Sequence, residues 1–324
     1  MRVIIPVAGV GSRLRPHTYT VPKVLLNVAG KPIIGHLLDR LVENGLRDVT
    51  VVVGYLGDKI KEYIGEHYTI NIDFVEQEER LGLGHALYIS RHTFGGGPIL
   101  IALGDTIFDV DFAAFTGGDV STLGVHKVED PRRFGVVETS DGIITKLIEK
   151  PENPTSHLAV VGLYSIRNSA LLVECLSDEI NKNVKTKGEF QLTDALQMMI
   201  DRGEKMKAYT IDGWYDCGKP ETLLATNRVM LDRMSPSASM NGVVVLPPSY
   251  ISPKAVVKNS VIGPYATVAE GARVENSIIK NSIINEEASV SDALLEDSIV
   301  GSNALVRGSY KRVNIGDSSE LEFY

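Results

Sequence analysis

From residue 250 the chain repeats every five or six residues, and no other feature restricts its fold as much. Small residues stand at Ala255, Ser260, Ala266, Ala272, Ser277, Ser282, Ala288, Ala293, Ser298 and Ala304. Two places after each comes an aliphatic: Val257, Ile262, Val268, Val274, Ile279, Ile284, Val290, Leu295, Val300 and Val306. An amphipathic strand alternates every two residues and does not hold such a step ten times over. A hexapeptide coil does, with the aliphatic filling the inside of a triangular turn and the small residue sitting where the chain bends. With three strands per coil, residues 250–324 are expected to form a short left-handed parallel β-helix of a little over three coils.

The first two-thirds follow a different rhythm. Arg2–Val7 is an apolar run ending in Ala-Gly-Val-Gly, which reads as a buried parallel strand feeding a tight loop. Ile34, Leu37, Leu38, Leu41 and Val42 recur at helical spacing and stop at Gly45. Val49–Val53 is β-branched and strand-like. The alternation goes on with a helix near Lys59–His67, a strand near Ile72–Glu76, a helix near His85–His92 and a strand at Ile99–Leu103. Strands and helices taking turns define an α/β fold with a Rossmann-like, mainly parallel sheet. Thr122–Val128, Gly135–Glu138, Ile144–Ile148 and Leu158–Ile166 are strand-rich and suggest a lid. Helices near Gln191–Met199 and Glu221–Met234 close a domain expected over residues 1–235, followed by a linker at 236–249.

Charge and composition exclude several functions. The net charge is −8, whereas bulk nucleic-acid binding needs a basic face that releases counterions. Two cysteines, Cys175 and Cys217, stand far apart and indicate neither a disulfide framework nor a zinc site. Met1–Val7 lacks the length of a membrane span and the layout of a signal peptide. A cytoplasmic protein with no membrane or nucleic-acid partner is expected. The last of seven histidines is His157, so the β-helix has no histidine base for acyl transfer. Its expected task is homo-oligomer assembly or regulation.

Ligands of an open α/β sheet sit beyond the carboxyl ends of its strands. Ala8–Arg13, Gln77–Gly84 and Gly104–Thr106 all follow strands and are expected to line one cleft. The first loop, Gly9-Val10-Gly11-Ser12-Arg13, is neither a dinucleotide fingerprint nor a Walker loop, since no third glycine opens a helix and no Gly-Lys-Ser/Thr follows. Its glycines let backbone N–H groups approach a phosphate. Arg13 and, ten residues on, Lys23 bring two cations, which suits a triphosphate whose pyrophosphate must leave.

Residues 9–26, GVGSRLRPHTYTVPKVLL, followed by Gly30-Lys31-Pro32, closely resemble the signature loop of the nucleotide-sugar pyrophosphorylases. The resemblance runs on through Gly82-Leu83-Gly84-His85-Ala86, Gly104-Asp105, Phe134-Gly135-Val136-Val137, Glu149-Lys150-Pro151, Gln191-Leu192-Thr193-Asp194 and Asp216-Cys217-Gly218. It implies a nucleoside triphosphate and a sugar 1-phosphate as substrates, joined by in-line displacement with loss of pyrophosphate. It also implies Mg²⁺ held by Asp105 and Asp216, pyrophosphate on Arg13, and Lys23 near the α-phosphate. Ala8, Gly9, Gly11, Gln77 and Gly82 become nucleotide-binding residues. Glu149, Lys150, Gly135 and Gly162 become the sugar-phosphate site.

Gln77, with a glycine five residues later, matches relatives that read uracil or thymine. An amide offers a donor and an acceptor to that edge. UTP is the expected nucleotide and dTTP the second. His85 is read as packing or capping, and Trp214 as a packing residue. Three alternatives stand beside this reading: an inactive scaffold of the kind found in translation-factor exchange subunits, a mannose-1-phosphate guanylyltransferase, and a bifunctional uridylyltransferase–acetyltransferase, which the short, histidine-free helix disfavours. The intact Arg13, Lys23, Asp105 and Asp216 argue against the scaffold.

Overall fold

The computed structural model describes residues 1–234, 240–308 and 313–322. Contacts gather the chain into two compact units, Met1–Gly9 with Leu37–Trp214, and Val10–His36 with Tyr215–Tyr324. The expected linker at 236–249 lies partly outside the described residues, and a strand at Val243–Val245 already belongs to the repeat.

The first unit is built on nine strands: β1 (Arg2–Pro6), β2 (Asp48–Val53), β3 (Asn71–Glu76), β4 (Ile99–Ala102), β5 (Ser121–Lys127), β6 (Gly135–Ser140), β7 (Ile143–Glu149), β8 (Leu158–Ile166) and β9 (Met206–Thr210). Their order is β3-β2-β1-β4-β8-β5-β9-β7-β6. β1 pairs parallel with both neighbours, Val3 lying opposite Val49 and Leu100, and β2 pairs parallel with β3. Val3, Ile4 and Ile5 are wholly buried, as a strand covered on both faces requires. All four parallel strands therefore open their following loops at one edge of the sheet.

β8 runs antiparallel to both β4 and β5, whereas β9 is parallel to β5. The strand-rich segment thus prolongs the main sheet and forms no separate lid. The reason is in β8 itself, since eight of its nine residues are buried and such a strand belongs inside a sheet.

Helices α1 (Ile33–Glu43), α2 (Gly57–His67), α3 (Leu83–Ser90), α4 (Phe112–Thr116), α5 (Ser169–Asn181) and α6 (Leu192–Asp201) fill the crossovers. α4 and α5 are not anticipated from the sequence. Asn168 caps α5 by accepting the Leu171 N–H at 3.0 Å, the usual task of a short amide side chain at a helix start. Leu172, Leu176, Leu196 and Met199 from α5 and α6 share one core with Leu123, Val125 and Val137.

In the second unit, three parallel sheets of four, five and five strands stack into a β-helix. Among the described residues that makes more than four coils, against the expected three and a little more, because strands at Val243–Val245 and Tyr250–Ile251 precede the ten repeats and strands at Asn314–Ile315 and Glu320–Glu322 follow them. All ten aliphatic positions of the repeat are at most 6% exposed, and they share one core. Each stacks on its counterpart one coil away: Ile262 on Ile279, Val268 on Ile284, Val274 on Val290.

The serines of the repeat do more than save space. Ser260 Oγ accepts the Ser277 N–H and Ser277 Oγ accepts the Ala293 N–H, both at 3.1 Å. Ser282 and Ser298 repeat the pattern, so backbone groups left at the bends find partners. Asn259, Asn276, Asn281, Asp292 and Asp297 take the positive φ of the corners, where a short polar side chain eases the left-handed conformation. No described helix is long and apolar enough to cross a membrane.

Candidate active site

At the open edge of the parallel strands, three loops of the first unit meet. The Val7 N–H bonds the Val52 carbonyl, and Gly54 approaches Ala8 so closely that a Cβ would lie 2.9 Å from the Ala8 carbonyl. The Gln77 N–H bonds the Val53 carbonyl at 2.8 Å, which continues the pairing of β2 and β3. Gln77 lines a cavity of about 440 Å³ together with Gly54, Tyr55, Lys61 and Arg80. Its side-chain Nε2 donates to the Gly82 carbonyl and faces His85 Nδ1, both at 3.1 Å. Gly82 has a φ of +111°, and a Cβ there would meet the Phe190 carbonyl at 2.4 Å. Ala8, Gln77 and Gly82 are therefore set by the backbone itself. Gly9 is exposed, and a Cβ there would meet nothing within 4 Å, which leaves that side of the backbone open.

His85, read from the sequence as packing or capping, is instead a partner of Gln77. Burial lowers its pKa below the ordinary histidine value, against the charge and backbone carbonyl of Glu79, which raise it. Trp214 fits its reading: its ring packs against Phe134 and His126.

Asp105 follows β4, and the Thr106 hydroxyl donates to its Oδ1 at 3.3 Å. At the other end of the sheet β6 and β7 bring together the expected sugar-phosphate residues. Glu149 Oε2 accepts the Thr193 hydroxyl at 2.7 Å, and Lys150 Nζ lies 2.8 Å from Glu149 Oε1. A Cβ on Gly135 would sit 3.1 Å from Thr193 Oγ1 and 3.3 Å from Glu149 Oε2, so this glycine keeps the carboxylate accessible. Gly162 has a different reason. Its φ is +90° and the Leu103 side chain fills the place of its Cβ at 2.6 Å, so backbone conformation and packing both call for glycine there.

Thr193, Asp194 and Glu179 escape the sequence reading. The first two sit in the quoted Gln191-Leu192-Thr193-Asp194 motif, which was the signal available, but Glu179 lies within α5 with no motif around it. Burial raises the pKa of Asp194, and the neighbouring Glu149 charge adds to the rise. Burial likewise pushes Glu179 up to about 7.

The signature loop belongs to the second unit. Gly11 stands at φ +62°, and a Cβ there would meet Lys23 Cβ at 2.9 Å and Thr18 Cγ2 at 3.0 Å. The loop thus folds back on itself, fastened by the Thr18 hydroxyl on the Gly11 carbonyl at 2.9 Å, and Lys23 is held nearly buried at 8% exposure. Arg13 is exposed. It shares one small space with Asp216: a Cβ on Gly218 would lie 2.9 Å from Asp216 Oδ1 and 3.2 Å from an Arg13 guanidinium nitrogen. Glycine at 218 lets this cation and anion stand side by side.

The same loop is fastened to the β-helix. His17 pairs with Asn314, Thr20 with Asp317, and Asn27 with Glu286 at 3.1 Å. The ring of Tyr250 lies where a Cβ of Gly30 would be, at 2.4 Å. Fully buried Asn227, on helix α7 (Pro220–Asp232), accepts from both the Ala29 N–H and the Thr267 hydroxyl through one oxygen, each at 2.8 Å.

Among the described residues no three His, Cys, Asp or Glu side chains converge on one point. A divalent ion would find isolated carboxylates and complete its shell with phosphate oxygens and water, as Mg²⁺ bound with a triphosphate does. Asp105 and Asp216 are hard oxygen donors of that kind, and Gly218 leaves the face of Asp216 uncovered.

A Rossmann-like sheet, a glycine loop bearing Arg13 and Lys23, and a buried amide beside a cavity define an α/β enzyme acting on a phosphorylated nucleotide. The chain belongs to the nucleotidyl transferase family, which matches residues 2–233. It is 30% identical to a glucose-1-phosphate thymidylyltransferase of Streptomyces griseus, over 99% of both chains. It is 34% identical to the UTP–glucose-1-phosphate uridylyltransferase AglF of Haloferax volcanii, over 68% of this chain and 93% of the relative. A UDP-glucose pyrophosphorylase structure with bound UDP-glucose shares the fold at a TM-score of 0.62 and 24% identity, over 72% of this chain and 99% of that one.

Proposed function

We propose that this sugar-1-phosphate nucleotidyltransferase uses a pyrimidine triphosphate, UTP first and dTTP second, with glucose 1-phosphate as the acceptor. The observation that carries the reading is Gln77, a buried amide locked by its neighbours at the wall of a cavity. A fixed amide recognises a base edge with little loss of freedom on binding.

The reaction is a direct displacement. A phosphate oxygen of the sugar 1-phosphate attacks the α-phosphorus of the nucleotide, the bond to the β-phosphate oxygen breaks, and pyrophosphate leaves. Such a reaction gains most from alignment and charge neutralisation. Arg13 takes the charge of the departing pyrophosphate and Lys23 that of the α-phosphate. Lys150 holds the sugar phosphate, and Glu149, already oriented by Thr193, accepts hydrogen bonds from the sugar hydroxyls. Asp105 and Asp216 would hold Mg²⁺, which supplies charge neutralisation at the phosphates.

The test is pyrophosphate release from UTP, dTTP, CTP, ATP and GTP with several hexose 1-phosphates in the presence of Mg²⁺. Turnover should be highest with UTP or dTTP and glucose 1-phosphate. A preference for GTP with mannose 1-phosphate would overturn the choice of substrates. Silence with every pair in a folded sample would favour a scaffold.

A further inference from the structure

We infer that His85, acting with the Gly82 carbonyl, holds the polarity with which Gln77 reads the base, so that uracil or thymine is accepted and cytosine refused. The inference rests on the pyrimidine reading above and adds the residue that decides between pyrimidines.

An amide side chain has two ends, and its neighbours determine which one a ligand meets. A carbonyl can only accept, so the end of Gln77 that lies 3.1 Å from the Gly82 carbonyl is the NH₂ group. Its second N–H points at His85 Nδ1, also at 3.1 Å. That ring nitrogen must then carry a lone pair, which places the ring proton of the neutral imidazole on Nε2. Burial holds the ring neutral by lowering its pKa, so Nδ1 keeps its lone pair. Both donors of Gln77 are thereby used inside the protein.

What remains for a ligand is Oε1, an acceptor, in a residue that is 6% exposed and lines the cavity. This narrows the expectation of an amide offering both a donor and an acceptor. A lone acceptor matches the N3–H of uracil or thymine. Cytosine presents a lone pair at N3, and two acceptors facing each other in a buried place leave both unsatisfied, at a cost of about 1–3 kcal/mol. That equals roughly a ten- to hundredfold preference in kcat/KM. Were the His85 lone pair removed, only the Gly82 carbonyl would hold the amide, and turning it over would break one bond instead of two. Turned over, it would offer N–H to cytosine N3.

His85 is therefore a positioning residue, and its test needs a readout that loss of packing alone would not move. His85→Leu and His85→Phe remove the acceptor. His85→Asn restores one, because the Asn Oδ1 falls near the place of Nδ1. In the full chain, the Leu and Phe variants should raise KM for UTP about tenfold with kcat nearly unchanged. Their UTP-over-CTP preference in kcat/KM should fall about tenfold, and the Asn variant should recover most of it. A preference unchanged in whichever apolar variant folds would overturn the inference. So would an Asn variant no better than the Leu variant. An unsubstituted enzyme that releases pyrophosphate only from purine triphosphates would instead overturn the pyrimidine reading, and the role of His85 with it.

Discussion

Glu179 shows what a single buried residue can do to the whole chain. One carboxylate oxygen accepts the Gln191 N–H at 2.7 Å and the other has no partner. Burial first, then the Asp194 charge, pushes its pKa up to about 7, from 4.5. Because the folded value lies above the unfolded one, its contribution to stability is complete below pH 4.5. It is lost as pH rises through about 7, and the shift corresponds to roughly 3 kcal/mol. Glu179→Gln keeps the shape without the charge, so its melting temperature should exceed that of the parent at pH 8 and converge with it at pH 4.5. Equal melting curves at pH 8 would show that the carboxylate is not strained by burial. The proposed metal ligands make a second prediction. Asp105→Asn or Asp216→Asn should cut turnover at limiting Mg²⁺ by orders of magnitude with the melting temperature held, since an amide cannot balance a divalent charge. Full turnover in either would remove it from the ligand set. The residues of short motifs were legible in the sequence, because Arg13, Lys23 and Gln77 stand at fixed spacings. Glu179, Thr193 and the bond between Gln77 and His85 were not, because their meaning lies in which neighbour faces which atom.

Among the elements, the one that changed most between sequence and structure is the β-helix. Its period was readable because coil stacking demands an aliphatic in every strand. Its grip on the signature loop was not, because 297 residues separate His17 from Asn314, and no local pattern records a pairing at that distance. Beside the expected assembly or regulation, the helix thus has another task, bracing the loop that carries Arg13 and Lys23. Asn314→Ala removes the partner of His17 from the coil side. If the loop binds phosphate as proposed, the substitution should lower kcat/KM by about tenfold, since small displacements of reacting groups are costly, and move the melting temperature little. Unchanged kinetics would show that the loop holds its form without the coil. The strand-rich segment teaches the converse lesson: its strands were recognised, but their place in the main sheet depends on partners distant in sequence.

For the whole molecule, the described surface of the β-helix carries a row of outward aliphatics. Val244, Val261, Ile278 and Leu294 stand opposite one another on successive coils of one sheet, and Val244, Ile278 and Leu294 are 56%, 45% and 37% exposed. A flat apolar row of this kind suits a symmetric contact with a second copy of the chain. Ile278→Asp should reduce the mass measured by light scattering while leaving pyrophosphate release detectable. An unchanged mass would place any assembly elsewhere.

The pairing of Thr20 with Asp317 and of His17 with Asn314 also bears on the order of events during synthesis. Domains tend to fold as the chain emerges, amino-terminal parts first. Here the signature loop waits for contacts made by coils near residues 314–317. A ribosome-bound chain can close most of the sheet early, yet this loop gains its full set of partners only when those coils have emerged. Pulse-labelled chains arrested before residue 314 should therefore protect the sheet from protease and still be cut between residues 10 and 30.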